Sequence, residues 1–242
     1  MLIDEKGLHV IVDENILLKA ENYMKESCRD SAHDAEHVYR VLNLAINIAA
    51  AEEHVNYFVL IISCLLHDIG RNKQFADPTI CHAKEGGNMA YTFLIDNGIE
   101  AKTAIKIKKC IERHRYRSEN QPKAIEEKIL FDADKIDVAG AIGIARTLFY
   151  EGKENIPLYH LDQYGNVIAG KDDLQDSFFR EYEFKLSKIN KKLYTESARK
   201  IAQKRFEYVE LFYNKICEEI DYNKNQIRTF LEGGMLDVIN IR

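Results

Sequence analysis

Proline and glycine are scarce, at three and twelve of 242 residues. Both residues break helices, so their scarcity leaves room for long helices and favours an all-α fold. Long apolar runs are also missing. The longest, YFVLIISCLL at 57–66, has ten residues, about half of the ~20 needed to cross a bilayer, and reads as a buried core helix. No block of Lys and Arg dominates: 34 basic residues face 39 acidic ones, for a net charge of −5. That balance argues against a general polyanion binder, and no nucleic-acid polymer or membrane is expected as a partner. The five cysteines form no CxxC pair, so neither a disulfide frame nor a zinc ribbon is indicated. A reduced, cytoplasmic protein is expected, because the N-terminal MLIDEKGLHVIVDEN carries acids and lacks signal-peptide architecture. The motifs GxSxG and GxxxxGK[ST] are absent, which removes the commonest serine nucleophile and phosphate-loop readings.

What is present is helical periodicity. A short helix is expected up to about Ser27, capped by Asp13, and the next opens at Asp30 or Ser31. In the latter, His37, Val41, Leu44 and Ile48 recur at helical spacing, so a histidine heads an apolar stripe. Residues 56–69 are apolar almost all round, as a central helix would be, and Gly70 is placed to end it. Further helices are expected from about Ala83 to Asn97 and from Ala101 to His114. A long helical stretch should run from Ala124 to Tyr150, followed by two amphipathic helices over about 173–190 and 195–220. The expected layout is one single-domain helical body. Residues 1–29 add an N-terminal helix, 30–150 form a metal-binding core, 151–171 are a loop or insertion, and 172–242 supply C-terminal helices packed on that core.

Two His-Asp pairs occur, His33-Asp34 and His67-Asp68. With eight histidines and sixteen aspartates in the chain, chance supplies roughly half such a pair, so the dipeptide alone is weak. The surroundings separate them. His37, His67, Asp68 and Asp134 all fall on apolar stripes or in the apolar core of expected helices. A buried carboxylate is costly unless it is paired or bound to a cation. Taken singly, each histidine reads as a core residue with a hydrogen-bond partner. Together, the four call for a shared divalent metal between the central helices. Imidazole and carboxylate suit Zn, Mn, Fe or Ni, and the mix does not choose among them.

The segments HVYRV (37–41), LLHDIG (65–70) and DADKID (132–137) resemble the HD superfamily of metal-dependent phosphohydrolases, with its H…HD…D signature on an all-α scaffold. A bacterial group of about this length is similar through HDAEHVYRV (33–41), LHDI (66–69), HAKEG (82–86), HR (114–115), DADKIDVAGAIGIAR (132–146) and LYTESARKIAQKRFEYVELF (193–212). The resemblance implies that His37, His67, Asp68 and Asp134 hold a divalent ion (Mn, Fe, Ni, Zn, Co or Mg), with Asp68 at the centre of the chemistry. Some branches add two histidines that hold a second ion, with the Asp of the pair as bridge. His82 and His114 fall in that interval, and either fill this role or line the pocket. His33, one helical turn before His37, contacts substrate or a bridging water, or only caps and orients.

The implied activity is hydrolysis of a phosphomonoester or phosphodiester in a small phosphorylated metabolite, a nucleotide being the leading candidate. Arg71, Arg115 and Lys135 are the cations expected to meet the phosphate; each alone also reads as a solvated surface charge. Two alternatives stand beside this reading. One is a two-iron oxygenase of the same superfamily, and the other is a non-catalytic nucleotide-sensing module.

Overall fold

An apolar helix at the centre organises the chain. The computed structural model describes residues 2–3, 9–10, 14–27, 35–115 and 120–231. The architecture is all-α, apart from a two-residue antiparallel pair near the start: β1 (Leu2–Ile3) and β2 (His9–Val10), with Leu2 opposite Val10. The central helix is α3 (Tyr57–Leu66), following α1 (Glu14–Ser27) and α2 (Ala35–Ala49). Asn56 caps α3, its side chain accepting from the Val59 amide at 3.1 Å. From Val59 to Leu66 every residue is buried, and large apolar side chains removed from water contribute roughly 1.5–3 kcal/mol each.

The helices around α3 each turn one stripe inward. On α1 the stripe is Ile16, Ala20 and Met24; on α2 it is Val38, Val41, Leu44, Ala45 and Ile48. Then come α4 (Arg71–Ala76), α5 (His82–Asp96), α6 (Ala101–Arg113) and α7 (Ile125–Asp137). Buried Glu127 on α7 accepts both Arg113 Nη1 contacts at 2.8 Å and the Lys123 and Ala124 amides, so one carboxylate ties α6 to the start of α7. The remaining elements are α8 (Gly140–Lys153), α9 (Phe178–Phe184), a 3-10 helix (Leu186–Lys192) and α10 (Glu196–Leu231). They surround a second apolar cluster with Ile144, Phe178, Phe179, Leu186 and Val209 at its heart. Buried Asp132 on α7 accepts the Tyr194 and Thr195 amides and the Thr195 hydroxyl at 2.7–2.8 Å, anchoring the entry to α10 on the first core. Among the described residues no helix is long and apolar enough to cross a membrane.

Three expectations change. The stretch 124–150 is not one helix: it breaks at Val138 and Ala139, because Gly140 takes φ +77° and turns the chain. The expected helix over 173–190 is instead the short α9 and the 3-10 helix, with Ser177 capping α9 by accepting from the Arg180 amide. Helix α8 runs to Lys153, so the irregular segment begins later than residue 151. The caps expected at Asp13, Asp30 and Ser31 lie outside the described residues.

Glu151, near the end of α8, is 6% exposed, and its Oε2 has no hydrogen-bond partner among the described residues. Burial pushes its carboxyl up to about 7; Glu181 and Asp176 add to the rise, and Lys185 opposes it. The folded protein therefore holds this proton more tightly than the unfolded chain. The associated stability is full below the ordinary value of 4.5 and is lost as pH rises through about 7. Glu151→Gln should accordingly be more stable than the parent above pH 7.5, by about 1–3 kcal/mol, with the difference shrinking toward pH 5. Denaturant unfolding at the two pH values checks this, and a pH-independent difference would refute it.

Candidate metal centre

The centre is built where the first turn of α2, the C-terminal end of α3, the start of α5, the end of α6 and the last turn of α7 meet. The close approach of α3 to α5 depends on Gly70: a Cβ there would sit 2.3 Å from the His82 carbonyl oxygen and 2.7 Å from the Gly86 nitrogen. Only a residue without a side chain lets the His67-Asp68 turn settle against the start of α5, which brings His82 beside Asp68.

Six residues converge: His37, His67, Asp68, His82, His114 and Asp134, all buried. They form two groups, His37, His67 and Asp134 in one and Asp68, His82 and His114 in the other, with the ligand atoms of each group within 4.8 Å of one another. Each histidine commits its Nδ1 elsewhere. His37 Nδ1 donates to Asp137 Oδ2 at 2.7 Å, His67 to the Cys64 carbonyl at 2.8 Å, His82 to Gln74 Oε1 at 2.7 Å and His114 to the Ile111 carbonyl at 2.6 Å. A neutral imidazole carries one proton, so every Nε2 is left with a bare lone pair. These lone pairs point at one another. His37 Nε2 and His67 Nε2 are 3.4 Å apart, and His82 Nε2 and His114 Nε2 are 3.3 Å apart. Without protons between them neither contact is a hydrogen bond, and each pair repels until a cation enters.

Asp68 stands between the groups. Its Oδ2 lies 3.8 Å from His37 Nε2 and 3.6 Å from His67 Nε2; its Oδ1 lies 3.6 Å from both His82 Nε2 and His114 Nε2. Oδ1 accepts from Arg71 Nε at 3.0 Å, whereas Oδ2 is fully buried with no hydrogen-bond partner among the described residues. Asp134 Oδ1 is 3.5 Å from His37 Nε2, while its Oδ2 takes Lys135 Nζ at 2.7 Å. Ligand atoms on bonds of ~2.0–2.2 Å around one ion lie roughly 3–3.5 Å apart. The donor set, its spacing and the orphaned Asp68 oxygen therefore all fit divalent metal.

Protonation states agree with this. Burial lowers the pKa of His67; burial and then Arg71 take His82 down to about 2; burial and then His67 take His114 to about 4. Burial alone would raise Asp68 and Asp134, but Arg71 holds the first, and Lys135 the second, below the usual carboxylate range, with the histidines adding to each. At neutral pH His67, His82 and His114 are therefore neutral and Asp68 and Asp134 charged, the forms that bind metal.

Of the three cations expected at the phosphate, Arg71 pairs with Asp68 and Lys135 with Asp134. Arg115 Nη1 is buried without a hydrogen-bond partner among the described residues, and its charge acts on His82. His33 lies outside the described residues. Sequence reasoning missed Asp137, Arg40, Arg146 and Gln74. Asp137 was detectable in principle, being one helical turn after Asp134 inside DADKID; Gln74 lies on a six-residue helix that carries no periodic signal.

If both groups bind, His82→Ala or His114→Ala should reduce the metal content of Mn²⁺-loaded protein from about two ions per chain to about one. Elemental analysis after desalting measures it. An unchanged content in both variants would show that the two histidines only line the pocket.

Residues 34–139 match the HD domain family model. Bacillus subtilis YpgQ is 27% identical over 194 residues, covering 78% of this chain and 85% of that protein. Its crystal structure in complex with ADP superposes with a TM-score of 0.64 at 24% identity, over 84% of this chain and 97% of that one. An HD-superfamily hydrolase from Bacillus thuringiensis gives a TM-score of 0.63 at 27% identity, over 86% and 98%. The Lin1889 protein of Listeria innocua gives 0.66 at 26%, over 87% and 98%. All six converging side chains fall inside the stretch that matches the HD domain, and the chain is similar over most of its length to proteins described as HD-superfamily hydrolases.

Proposed function

We propose that this chain is a metal-dependent phosphohydrolase acting on a small phosphorylated metabolite, a nucleotide by preference. The observation that carries the reading is the convergence of four imidazole Nε2 atoms on the two oxygens of Asp68, one of which is buried with no partner among the described residues. His37, His67, Asp134 and Asp68 would hold one ion; His82, His114 and Asp68 would hold a second. A bound divalent cation supplies hydroxide at neutral pH and polarises a phosphoryl oxygen.

The chain's own groups supply the rest. Asp68 directs one oxygen to each group and would serve catalysis as the carboxylate the two groups share. Phosphoryl transfer needs positive charge around the equatorial oxygens of the transferred group. Arg115 is the best placed to add it, because its buried Nη1 lacks a hydrogen-bond partner among the described residues and an anion would satisfy it. Arg71 and Lys135 already neutralise ligand carboxylates and stand beside the same space. The ADP complex of YpgQ supports a nucleotide as the ligand class. A second reading, a two-iron oxygenase, is favoured by one feature: an imidazole-rich set sharing a bridging carboxylate also suits iron.

The deciding experiment pairs metal analysis of the purified protein with phosphate release from a nucleotide panel and with oxygen uptake. Metal-dependent phosphate release is expected. Iron content with oxygen consumption and no phosphate release would replace the hydrolase with the oxygenase. Asp68→Ala should abolish metal-dependent turnover while circular dichroism stays helical, and retained turnover at parental metal content would remove the assignment. Arg115→Ala should raise KM about 10–100-fold, the scale of a lost charge-assisted hydrogen bond, with Mn²⁺ binding unchanged. An unchanged KM would take Arg115 out of the substrate site.

A further inference from the structure

The first ligand histidine leans on a carboxylate that is itself held from two directions. Asp137 is fully buried. Its Oδ2 accepts from His37 Nδ1 at 2.7 Å, and Arg40, one turn after His37 on α2, reaches Oδ1 at 2.8 Å and Oδ2 at 3.1 Å. The third partner comes from beyond the end of the helix: Arg146 on α8 places Nη1 2.5 Å from Asp137 Oδ2 and 3.1 Å from His37 Nδ1. His37 Nδ1 carries its proton toward the carboxylate, so Arg146 is bonded to Asp137 and lies alongside the ring.

Arg146 follows Asp137 by nine residues. On a continuous helix that separation is about 13 Å along the axis, far beyond a hydrogen bond. The corner between α7 and α8 closes the gap. Gly140 takes φ +77°, which L side chains rarely adopt. Gly143 packs against the preceding turn so closely that a Cβ would sit 2.3 Å from the carbonyl carbon and oxygen of Val138. The opposite side of α8, with Ile144, belongs to the second apolar cluster. The contact on Asp137 is therefore where that cluster touches the His37 group.

We infer that Asp137 and Arg146 are positioning residues that couple the seating of α8 to metal binding at the His37, His67 and Asp134 group. Asp137 fixes the His37 tautomer so that Nε2 faces the ion, and Arg146 holds Asp137 only while α8 is docked. The coupling rests on the reading of that group as a metal site, and it adds an effect on a helix that carries no ligand. Partners of this kind behind a ligand histidine typically change metal affinity by about 10–100-fold.

Mn²⁺ titration by calorimetry, combined with hydrogen exchange of residues 140–153, tests it. In the parent protein, Mn²⁺ should slow exchange in α8. Arg146→Gln should weaken one binding position about 10-fold, leave the other unchanged, and abolish the protection of α8; Asp137→Asn should weaken the same position by more, up to about 100-fold. Arg146→Lys should recover part of the loss. Gly143→Ala, which alters no polar group, should behave like Arg146→Gln, and His82→Ala should keep the protection of α8. Equal weakening of both positions would mark a general structural defect and overturn the coupling. So would parental affinity in Arg146→Gln and Gly143→Ala, or exchange in α8 that ignores Mn²⁺. Absence of Mn²⁺ binding in the parent would overturn the metal reading itself, which parental affinity in the variants would leave standing.

Discussion

Four imidazole lone pairs aimed at one buried carboxylate are the constraint on which the site depends. Such an arrangement is unfavourable by itself: acceptors face acceptors at 3.3–3.4 Å, and Asp68 Oδ2 is buried with no partner among the described residues. A packed core has to impose it. The eight successive buried residues of α3 provide that core, and they deliver His67 and Asp68 at the end of the helix with little freedom to turn away.

The four Nδ1 partners belong to two kinds of support. His67 and His114 bond to carbonyls three residues earlier, so the ends of α3 and α6 orient their own histidines locally. His82 needs Gln74 from α4, and His37 needs Asp137 from α7. The local pair survives any motion that keeps a helix end intact. The other pair depends on packing between elements, which makes the His37 side of the site sensitive to the corner at Gly140 and Gly143.

The two apolar clusters share more than a boundary. Asp132 and Asp137 lie on the same α7 helix and both serve partners from the C-terminal elements, the first at the entry to α10 and the second through Arg146. Helix α7 thus carries the candidate ligand Asp134 between two structural carboxylates. Burial of three aspartates on one short helix is tolerable because each has its own donors: amides and a hydroxyl for Asp132, Lys135 for Asp134, and His37 with two arginines for Asp137.

The all-α class and the ligand candidates were legible in the sequence because helical periodicity is local, and a polar residue on an apolar stripe is conspicuous wherever it falls. His37, His67, Asp68 and Asp134 stood out for that reason, and His82 and His114 followed from the resemblance and its spacing. The break after Asp137 was not legible: helix propensity runs on through 138–150, and the turn depends on a positive φ at Gly140 and on contact between Gly143 and the Val138 carbonyl. Nor could the sequence choose between a pocket wall and a second ligand group for His82 and His114. That depends on which ring nitrogen each one spends and on the distance from Nε2 to Asp68 Oδ1, 3.6 Å in both cases. Residue type and periodicity nominated the groups; the tertiary structure decided which lone pairs meet, because that is a relation between helices that no single helix contains.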